Sequence, residues 1–453
     1  MISQNKNNTY STQAILRFII PSLIGALLFM IPISNNGEIT IPIALFSKSL
    51  QGALTDSLPA ITTILMLLSF AGSIITKIFK PSFILKNSFL KSLFDVTPLW
   101  LISRIIGATF ALLTLLEVGP SAIWSEDTGG LLLFDLIPIL FSVFLFAGLF
   151  LPLLLNFGLL EFFGSLLNKI MRPIFNLPGR SSIDCITSWL GDGTIGVLLT
   201  NKQYEEGYYT KREAAVIATT FSAVSITFSL VVIAQVGLAH LFVPFYLTVT
   251  LSGVAAAIIV PRIPPLSRKL DSYYNDMKVN TGEVIPEDYT ALQWGVKQAV
   301  NKAGQQSNVG EFFIGGIKNV LDMWLGVIPI VMAFGTLALV IAEFTPIFQW
   351  LGLPFIPLLK IMGVPYAAEA SQTLVIGFAD MFLPAIIGSR IESELTRFVI
   401  ACVSVTQLIY MSEVGGLLLG SKLPINIKDL LLIFIQRTLV TLPIIVLIAH
   451  IIF

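Results

Sequence analysis

The fold of this protein is decided by the stretch LPGRSSIDCITSWLGDGTIGVLLTNKQYEEGYYTKRE, residues 177–213. It is apolar, but Gly191, Asp192, Gly193 and Thr194 interrupt it. Inside hydrocarbon an unpaired peptide group costs several kcal/mol, so such a break is tolerated only where protein or a water-filled cavity surrounds it. The stretch therefore predicts a hairpin that enters a membrane and returns to the same side.

Composition places the chain in the membrane. Of its 453 residues, 55% are hydrophobic and 12% are charged, and the mean hydropathy is +0.86. Lys plus Arg equals Asp plus Glu at 27 each, so no basic surplus points to nucleic acid. Cys185 and Cys402 have neither metal-ligand nor CxxC spacing, and we expect them to be small core residues. No cofactor and no metal site is expected.

A membrane span needs about 20 predominantly apolar residues. By that rule the sequence predicts spans at 17–33, 58–78, 99–118, 131–160, 214–236, 241–260, 320–342, 397–420 and 430–453. The predicted fold is an all-α polytopic membrane protein with about nine transmembrane helices and two re-entrant hairpins.

Basic residues set the expected orientation. Lys and Arg gather at 77–91, 169–180 and 262–269, which predicts that these loops are cytoplasmic. The three assignments agree only if residues 181–200 return to the side that they left. The expected location is the inner (cytoplasmic) membrane.

A second interrupted segment matches the first. Residues 192–202, DGTIGVLLTNK, and residues 380–390, DMFLPAIIGSR, each place a basic residue ten positions after an Asp. The surrounding order of span, hairpin, span, span also occurs twice, and on the charge count the two units are inverted. Inverted repeats with corresponding interrupted segments point to a transporter site. The alternative is a chance match among Leu-rich helices.

These patterns divide the chain into four regions. They are an N-terminal helical membrane region at 1–130, a first repeat at 131–266 with its hairpin at 181–200, a cytoplasmic linker at 267–319, and a second repeat at 320–453 with its hairpin at 365–389.

Residues 177–225, which extend the opening stretch through AAVIATTFSAVS, resemble the nucleoside-recognition or Gate domain family. That family is shared by concentrative nucleoside transporters, the membrane part of the ferrous-iron transporter FeoB and spore maturation membrane proteins. Residues 377–421 resemble the partner Gate domain, and the whole chain looks like YjiH-type inner-membrane proteins. The resemblance implies two inverted Gate repeats that bind a solute at their hairpin tips. The hairpin substrate motif of the nucleoside transporters has no recognisable copy here, so the resemblance leaves the solute open.

Ionisable residues within the membrane indicate function by default. Asp192 and Asp380 are the leading candidates. Asp192 lies between two glycines that free the backbone to turn, so carbonyls and the carboxylate could converge on a cation or a hydroxylated solute, and Thr194 adds a hydroxyl. The alternative is that each Asp caps a half-helix by accepting backbone N–H bonds.

The remaining candidates are polar residues in or near apolar segments. The second hairpin carries Glu369, Gln372 and Thr373, and Glu413 lies inside a predicted span. Ser222 and Ser225 either contact the solute or pack between helices.

Three other polar residues have structural interpretations. Glu213 is expected to form a capping box with Thr210. Arg104 and Arg437 lie within spans and either extend to the interface or pair with acidic residues.

The predicted function is transport of a small polar solute such as a nucleoside, an amino acid or a dipeptide, with Na⁺ or H⁺ coupled through the buried carboxylates. The expected partners are that solute, the coupling ion and the lipid bilayer, and a homo-oligomer is compatible with the same features. The alternative is a non-transporting scaffold whose Gate units assemble with partner proteins. No nucleophile is paired with a base, so an enzyme is not expected.

Overall fold

The computed structural model describes residues 11–31, 33–35, 38–190, 193–221, 224, 226–276, 278–279, 285–305 and 309–453. Regular structure in these ranges is nearly all helical, as the composition predicted. The exception in the described part of the chain is a short antiparallel pair of strands, Ile33–Asn35 and Glu38–Thr40.

Seven helices among the described residues are long and apolar enough to cross a membrane. They are Thr12–Phe29, Leu58–Phe79, Pro98–Leu116, Ser121–Leu155, Ala239–Arg268, Phe312–Phe344 and Ile427–Ile452. The protein is therefore a multi-pass membrane protein, with its many exposed Leu, Ile and Phe side chains suited to contact with lipid.

The N-terminal region begins at a capped helix, because the Ser11 hydroxyl accepts a hydrogen bond from the Ala14 N–H. Three of its helices carry Pro in the first turn, where a missing N–H costs nothing. The helices are α1 Thr12–Phe29, α2 Pro42–Leu54, α3 Leu58–Phe79, α4 Ser82–Lys86, α5 Ser88–Phe94 and α6 Pro98–Leu116.

The next part of the chain opens with a short helix and a π-helical segment, Glu126–Leu136. Its α-helices are α7 Ser121–Trp124, α8 Ile137–Leu155, α9 Leu159–Phe175, α10 Ser181–Leu190, α11 Gly193–Glu205, α12 Lys211–Thr220, α13 Ile226–Gln235 and α14 Phe242–Ile259. The predicted capping box at the start of α12 is confirmed, because the Thr210 and Glu213 side chains each accept the other residue's backbone N–H.

Two helices connect this part to the last third of the chain: α15 Ala291–Gln305 and α16 Val309–Asp322. Helix α15 packs against α9. The candidate span Phe312–Phe344 begins inside the segment 267–319 that we assigned to a cytoplasmic linker, because α16 continues into the following apolar helix.

The last third again opens with a π-helical turn, Met323–Val327. Its helices are α17 Ile328–Phe344, α18 Ile347–Gly352, α19 Phe355–Ile361, α20 Ala367–Ile376, α21 Leu383–Gly388, α22 Glu394–Gln407, α23 Val414–Gly420 and α24 Ile427–Ile452. The order of a π-helical segment, a long helix that begins Ile-Pro, a helix pair and a long terminal helix occurs in both parts.

Two of the nine predicted spans are broken in the middle. The span predicted at 214–236 is divided into α12 and α13, and the one predicted at 397–420 into α22 and α23. Each half is too short to cross a membrane alone, so neither appears among the seven long helices. Leu408 ends α22 with a φ of 61°, in the left-handed region that a bulky residue adopts only when its surroundings impose it.

Close packing of α6 on α17 depends on Gly107. A Cβ atom at this position would collide with the Pro329 carbonyl oxygen, so only glycine allows the two backbones to approach. Small residues at such contacts are how membrane helices gain van der Waals contact without a hydrophobic driving force between them.

We expect Gly107→Ala to force α6 and α17 apart and to lower the stability of the purified protein by about 1–3 kcal/mol, the usual cost of overpacking. Gly315→Ala is the matched control, because a Cβ at Gly315, in α16, would meet no atom within 4 Å. Thermal unfolding in detergent measures both variants. Equal loss of stability in the two would contradict the close-packing explanation.

Candidate functional site

Helices α10 and α11 form an antiparallel helical hairpin where the sequence predicted one. Gly196 of α11 lies against Ser188 of α10, since a Cβ there would be 2.7 Å from the Ser188 Cβ. One helical turn further on, the Thr200 hydroxyl donates to Asp184 Oδ2 at 2.8 Å. The pairing shows that α10 and α11 lie side by side; re-entry into a membrane stays a prediction.

A buried network of charged and polar side chains holds this hairpin together. Asp184 Oδ1 accepts from Gln203 Nε2 at 2.6 Å, and Gln203 Oε1 accepts from Arg180 Nε at 2.7 Å. The Arg180 guanidinium also lies 3.7 Å from the centre of the Tyr208 ring and 3.8 Å from Glu161 Oε1 in α9. Asp184 is 2% exposed and Arg180 is 3% exposed, so neighbouring polar side chains replace water as the partners of these groups.

Sequence reasoning missed this network although a signal was present. Arg180 and Asp184 are four positions apart, and Asp184 is an ionisable residue inside the predicted hairpin 181–200. The rule that selected Asp192 therefore applies equally to Asp184.

Replacing Asp184 tests the network. Asp184→Ala leaves Thr200 and Gln203 without their buried acceptor, and we expect it to cost about 1–3 kcal/mol of stability. Asp184→Asn retains an acceptor for Gln203 and a donor for Thr200, which can turn its own proton to the Gly196 carbonyl oxygen 2.9 Å away. Thermal unfolding should rank Ala well below Asn; equal losses would show that charge alone matters.

The second hairpin, α20 and α21, is tied to a helix break by Asp380. Asp380 Oδ1 accepts from the N–H groups of Phe382 at 2.7 Å and Leu383 at 3.3 Å, just before and at the start of α21. Its Oδ2 accepts from the Ser412 hydroxyl at 2.7 Å, in the break between α22 and α23. Asp380 thus accepts backbone N–H bonds next to α21 and forms a link that the sequence did not indicate, while its role in a solute or ion site stays a prediction.

Backbone hydrogen bonds strengthen the same link. The Met411 N–H donates to the Phe378 carbonyl at 2.8 Å, and the Ser412 N–H donates to the Ala379 carbonyl at 2.9 Å. The tip of the second hairpin and the α22–α23 break therefore satisfy each other's backbone groups, as buried irregular backbone requires.

Arg437 of α24 connects the two helix breaks. It is 1% exposed, its Nε donates to the Thr406 carbonyl at 2.9 Å, and its Nη1 donates to the Thr220 carbonyl at 3.1 Å. These carbonyls belong to the last turns of α22 and α12, where no helical N–H follows. In the described part of the chain no carboxylate lies within ion-pairing distance of the guanidinium.

Arg104 behaves similarly in α6. Its Nη1 donates to the Ser73 hydroxyl at 2.6 Å and to the Leu93 carbonyl at 2.8 Å, and the side chain is buried. Neither arginine extends to a membrane interface, and neither forms an ion pair with a described residue. Both guanidinium groups donate hydrogen bonds to uncharged oxygens instead.

A cavity of about 360 Å³ lies beside Arg437. Its walls come from the first arm of hairpin α10–α11, both helix breaks, α14 and α24. Representative lining residues are Trp189, Phe221, Gly253, Val405, Leu408 and Arg437. A mostly apolar cavity of this size with one convergent polar group has the character of a small-molecule site.

The other predicted site residues are distributed unevenly. Asp192, Ser222 and Ser225 lie outside the described residues. Thr194 is buried at the start of α11, and Glu413 is half-buried at the start of α23.

The polar cluster on the second hairpin does not line the cavity beside Arg437. Glu369 is exposed in the first turn of α20, Gln372 is half-buried, and the Thr373 hydroxyl donates to the Ala370 carbonyl at 2.7 Å.

A second, charged cavity of about 360 Å³ contacts the other arm of the first hairpin. Lys202 and Glu205 of α11, Asp322 of α16 and Lys422 are among its lining residues. Burial, followed by the charge of Asp322, raises the pKa of Glu205 from an ordinary 4.5 to about 7. Glu205 lies outside the seven long helices.

This shift makes stability depend on pH. Between pH 4.5 and pH 7 the unfolded chain releases the Glu205 proton while the folded chain keeps it, so the free energy of unfolding falls as pH rises. Glu205→Gln, whose amide oxygen can still accept from Asn201, should be more stable than the parent above this window by roughly 1 kcal/mol, with no difference below it. Thermal unfolding across pH measures this, and the exposed Glu117→Gln is the control. A constant difference at every pH would contradict the assignment.

Comparison with known proteins agrees with this geometry. Residues 137–239 match the family model described as Gate, nucleoside recognition, which spans α8 to α13 and so includes the first hairpin and the first helix break. An uncharacterized protein of Alkalihalophilus pseudofirmus is 53% identical over 448 residues, covering 99% of this chain and 97% of that protein. The chain belongs to the same family as that protein.

The Gate resemblance predicted from the sequence is thus confirmed for residues 137–239. Among solved structures, a variant of CNTnw in an outward-facing state has 14% sequence identity, covers 90% of this chain and 97% of its own, and gives a TM-score of 0.33.

Proposed function

We propose that this Gate-domain protein is a secondary transporter of the inner membrane that carries a small polar solute such as a nucleoside, an amino acid or a dipeptide. The observation that carries the proposal is that two broken helices end at one cavity beside a helical hairpin. Broken helices at membrane depth are stable only when they line a cavity or protein, and in transporters they form the solute site.

The two hairpins would gate this site in inverted repeats. The tip of the second hairpin moves with the α22–α23 break, because Asp380, Met411 and Ser412 join them. A rearrangement of this tip would therefore change the shape of the break where Val405 and Leu408 line the cavity.

Asp380 is the residue that we propose for coupling to H⁺ or Na⁺. As an ionised carboxylate it accepts three hydrogen bonds, two from backbone N–H groups next to α21 and one from Ser412. A proton or cation on the carboxylate competes with these donors and would loosen the tip. Thr194 and Glu413 would add polar contacts, and Asp192, Ser222 and Ser225 stay predicted contacts.

Uptake by proteoliposomes tests the proposal. Radiolabelled nucleosides, amino acids and dipeptides are offered with an inward Na⁺ or H⁺ gradient, and at least one should accumulate only with the gradient. Ser412→Ala removes a hydrogen bond to a charged group, and we expect roughly tenfold slower uptake from that loss. Ser404→Ala is the control, because its hydroxyl bonds only the Ala401 carbonyl of its own helix.

One result would contradict transport, and another would contradict only the coupling through Asp380. One is the absence of uptake for every solute by a folded protein that copurifies with a stable partner, which would support the scaffold instead. The other is equal uptake by the Ser412→Ala and Ser404→Ala proteins, which would separate the Asp380 link from the transport cycle.

A further inference from the structure

The electrostatics around Arg437 restrict what the adjoining cavity can hold. The guanidinium contacts the carboxyl ends of α12 and α22 through the Thr220 and Thr406 carbonyls. Each helix end carries a partial charge of about −0.5 from its aligned peptide dipoles. Together the two ends offset about one positive charge, so the cavity wall has little net charge left.

One donor on this wall stays without a partner. No described residue accepts a hydrogen bond from Arg437 Nη2, and Arg437 lines the cavity. The neighbouring hydroxyls point elsewhere, because Thr220 donates to the Val216 carbonyl at 2.7 Å and Thr406 donates to the Cys402 carbonyl at 3.0 Å. Nη2 is therefore a donor that a ligand or water in the cavity can engage.

The other residues that line the cavity suit an aromatic ring in the solute. Phe175, Trp189 and Phe221 line the cavity with Val249, Val254 and Leu408, and these side chains offer rings and aliphatic surface. A charged group placed here would lose its hydration without an opposite charge to replace it.

We propose that the cavity is a binding site for an uncharged, ring-bearing solute whose carbonyl oxygen accepts a hydrogen bond from Arg437 Nη2. Arg437 is then both the residue that positions the two helix breaks and the residue that selects the solute. The inference rests on the proposed transport function and specifies the chemical class of the solute.

Four aromatic probes of similar size test the class on the purified full chain. They are benzamide, which is neutral with a carbonyl, benzoate, benzylammonium, and toluene, which has no acceptor. We expect benzamide to bind tightest by calorimetry or thermal shift, with toluene roughly tenfold weaker for want of the hydrogen bond to a charged donor. Tighter binding of benzoate would show that the Arg437 charge is not offset, and equal binding of toluene would show that Nη2 makes no contact.

Three variants test whether benzamide binds in this cavity. Gly253→Leu should abolish benzamide binding, because a Cβ at Gly253 meets no atom within 4 Å and the added side chain can occupy the cavity. Gly315→Leu, equally open but in α16 away from the cavity lining, should bind normally. Arg437→Lys keeps the positive charge but replaces the planar guanidinium, with its several N–H donors, by a single ammonium group. We expect roughly tenfold weaker benzamide binding. If that variant does not fold, the two glycine variants still show whether benzamide binds in this cavity.

The outcomes separate this inference from the transport proposal. Uptake of any solute by Gly253→Leu at the parent rate would overturn the site and leave transport standing. Benzamide binding that Gly253→Leu abolishes, in a protein with no uptake, would support the site and reject transport. A copurifying lipid that Gly253→Leu removes and benzamide does not displace would assign the cavity to an acyl chain and overturn the inference.

Discussion

A helix that ends inside a protein leaves backbone carbonyls without partners, and here the buried Arg437 donates to such carbonyls at two helix breaks. Arg437 reaches from α24 to the Thr220 and Thr406 carbonyls, at the ends of α12 and α22. Its charge complements the negative ends of both helices, so neither the carbonyls nor the guanidinium is buried at full cost. The cavity lies where these two helix ends meet.

The two hairpins are held in different ways. The first is closed on itself, since Asp184, Thr200 and Gln203 bond one arm to the other and Arg180 extends the network toward α9. The second hairpin is instead bonded to the α22–α23 break, through the hydrogen bond from the Ser412 hydroxyl to Asp380. The first hairpin also separates two environments: its first arm contacts the apolar cavity beside Arg437, and its second arm contacts the charged cavity that contains Glu205.

Hydropathy predicted where apolar segments lie, but it could not detect the breaks. Both halves of the segments 214–236 and 397–420 are apolar, so a window of about 20 residues averages over Phe221 and Leu408, where the helices end. Local signals did better where the partners are neighbours in sequence, as in the Thr210–Glu213 capping box. Asp184 was within reach of the same reasoning that selected Asp192, because both are carboxylates inside an apolar hairpin.

By itself the sequence determined the class of protein, the nearly all-helical fold and the Gate motif of residues 137–239, because hydropathy, glycine placement and short motifs are properties of neighbouring residues. Only the tertiary structure decided that Asp380 joins Ser412 and that Arg437 joins two helix ends. Backbone carbonyls are the same at every position, so a sequence cannot show which of them a distant arginine will bind. That choice appears only when α12, α22 and α24 are packed together.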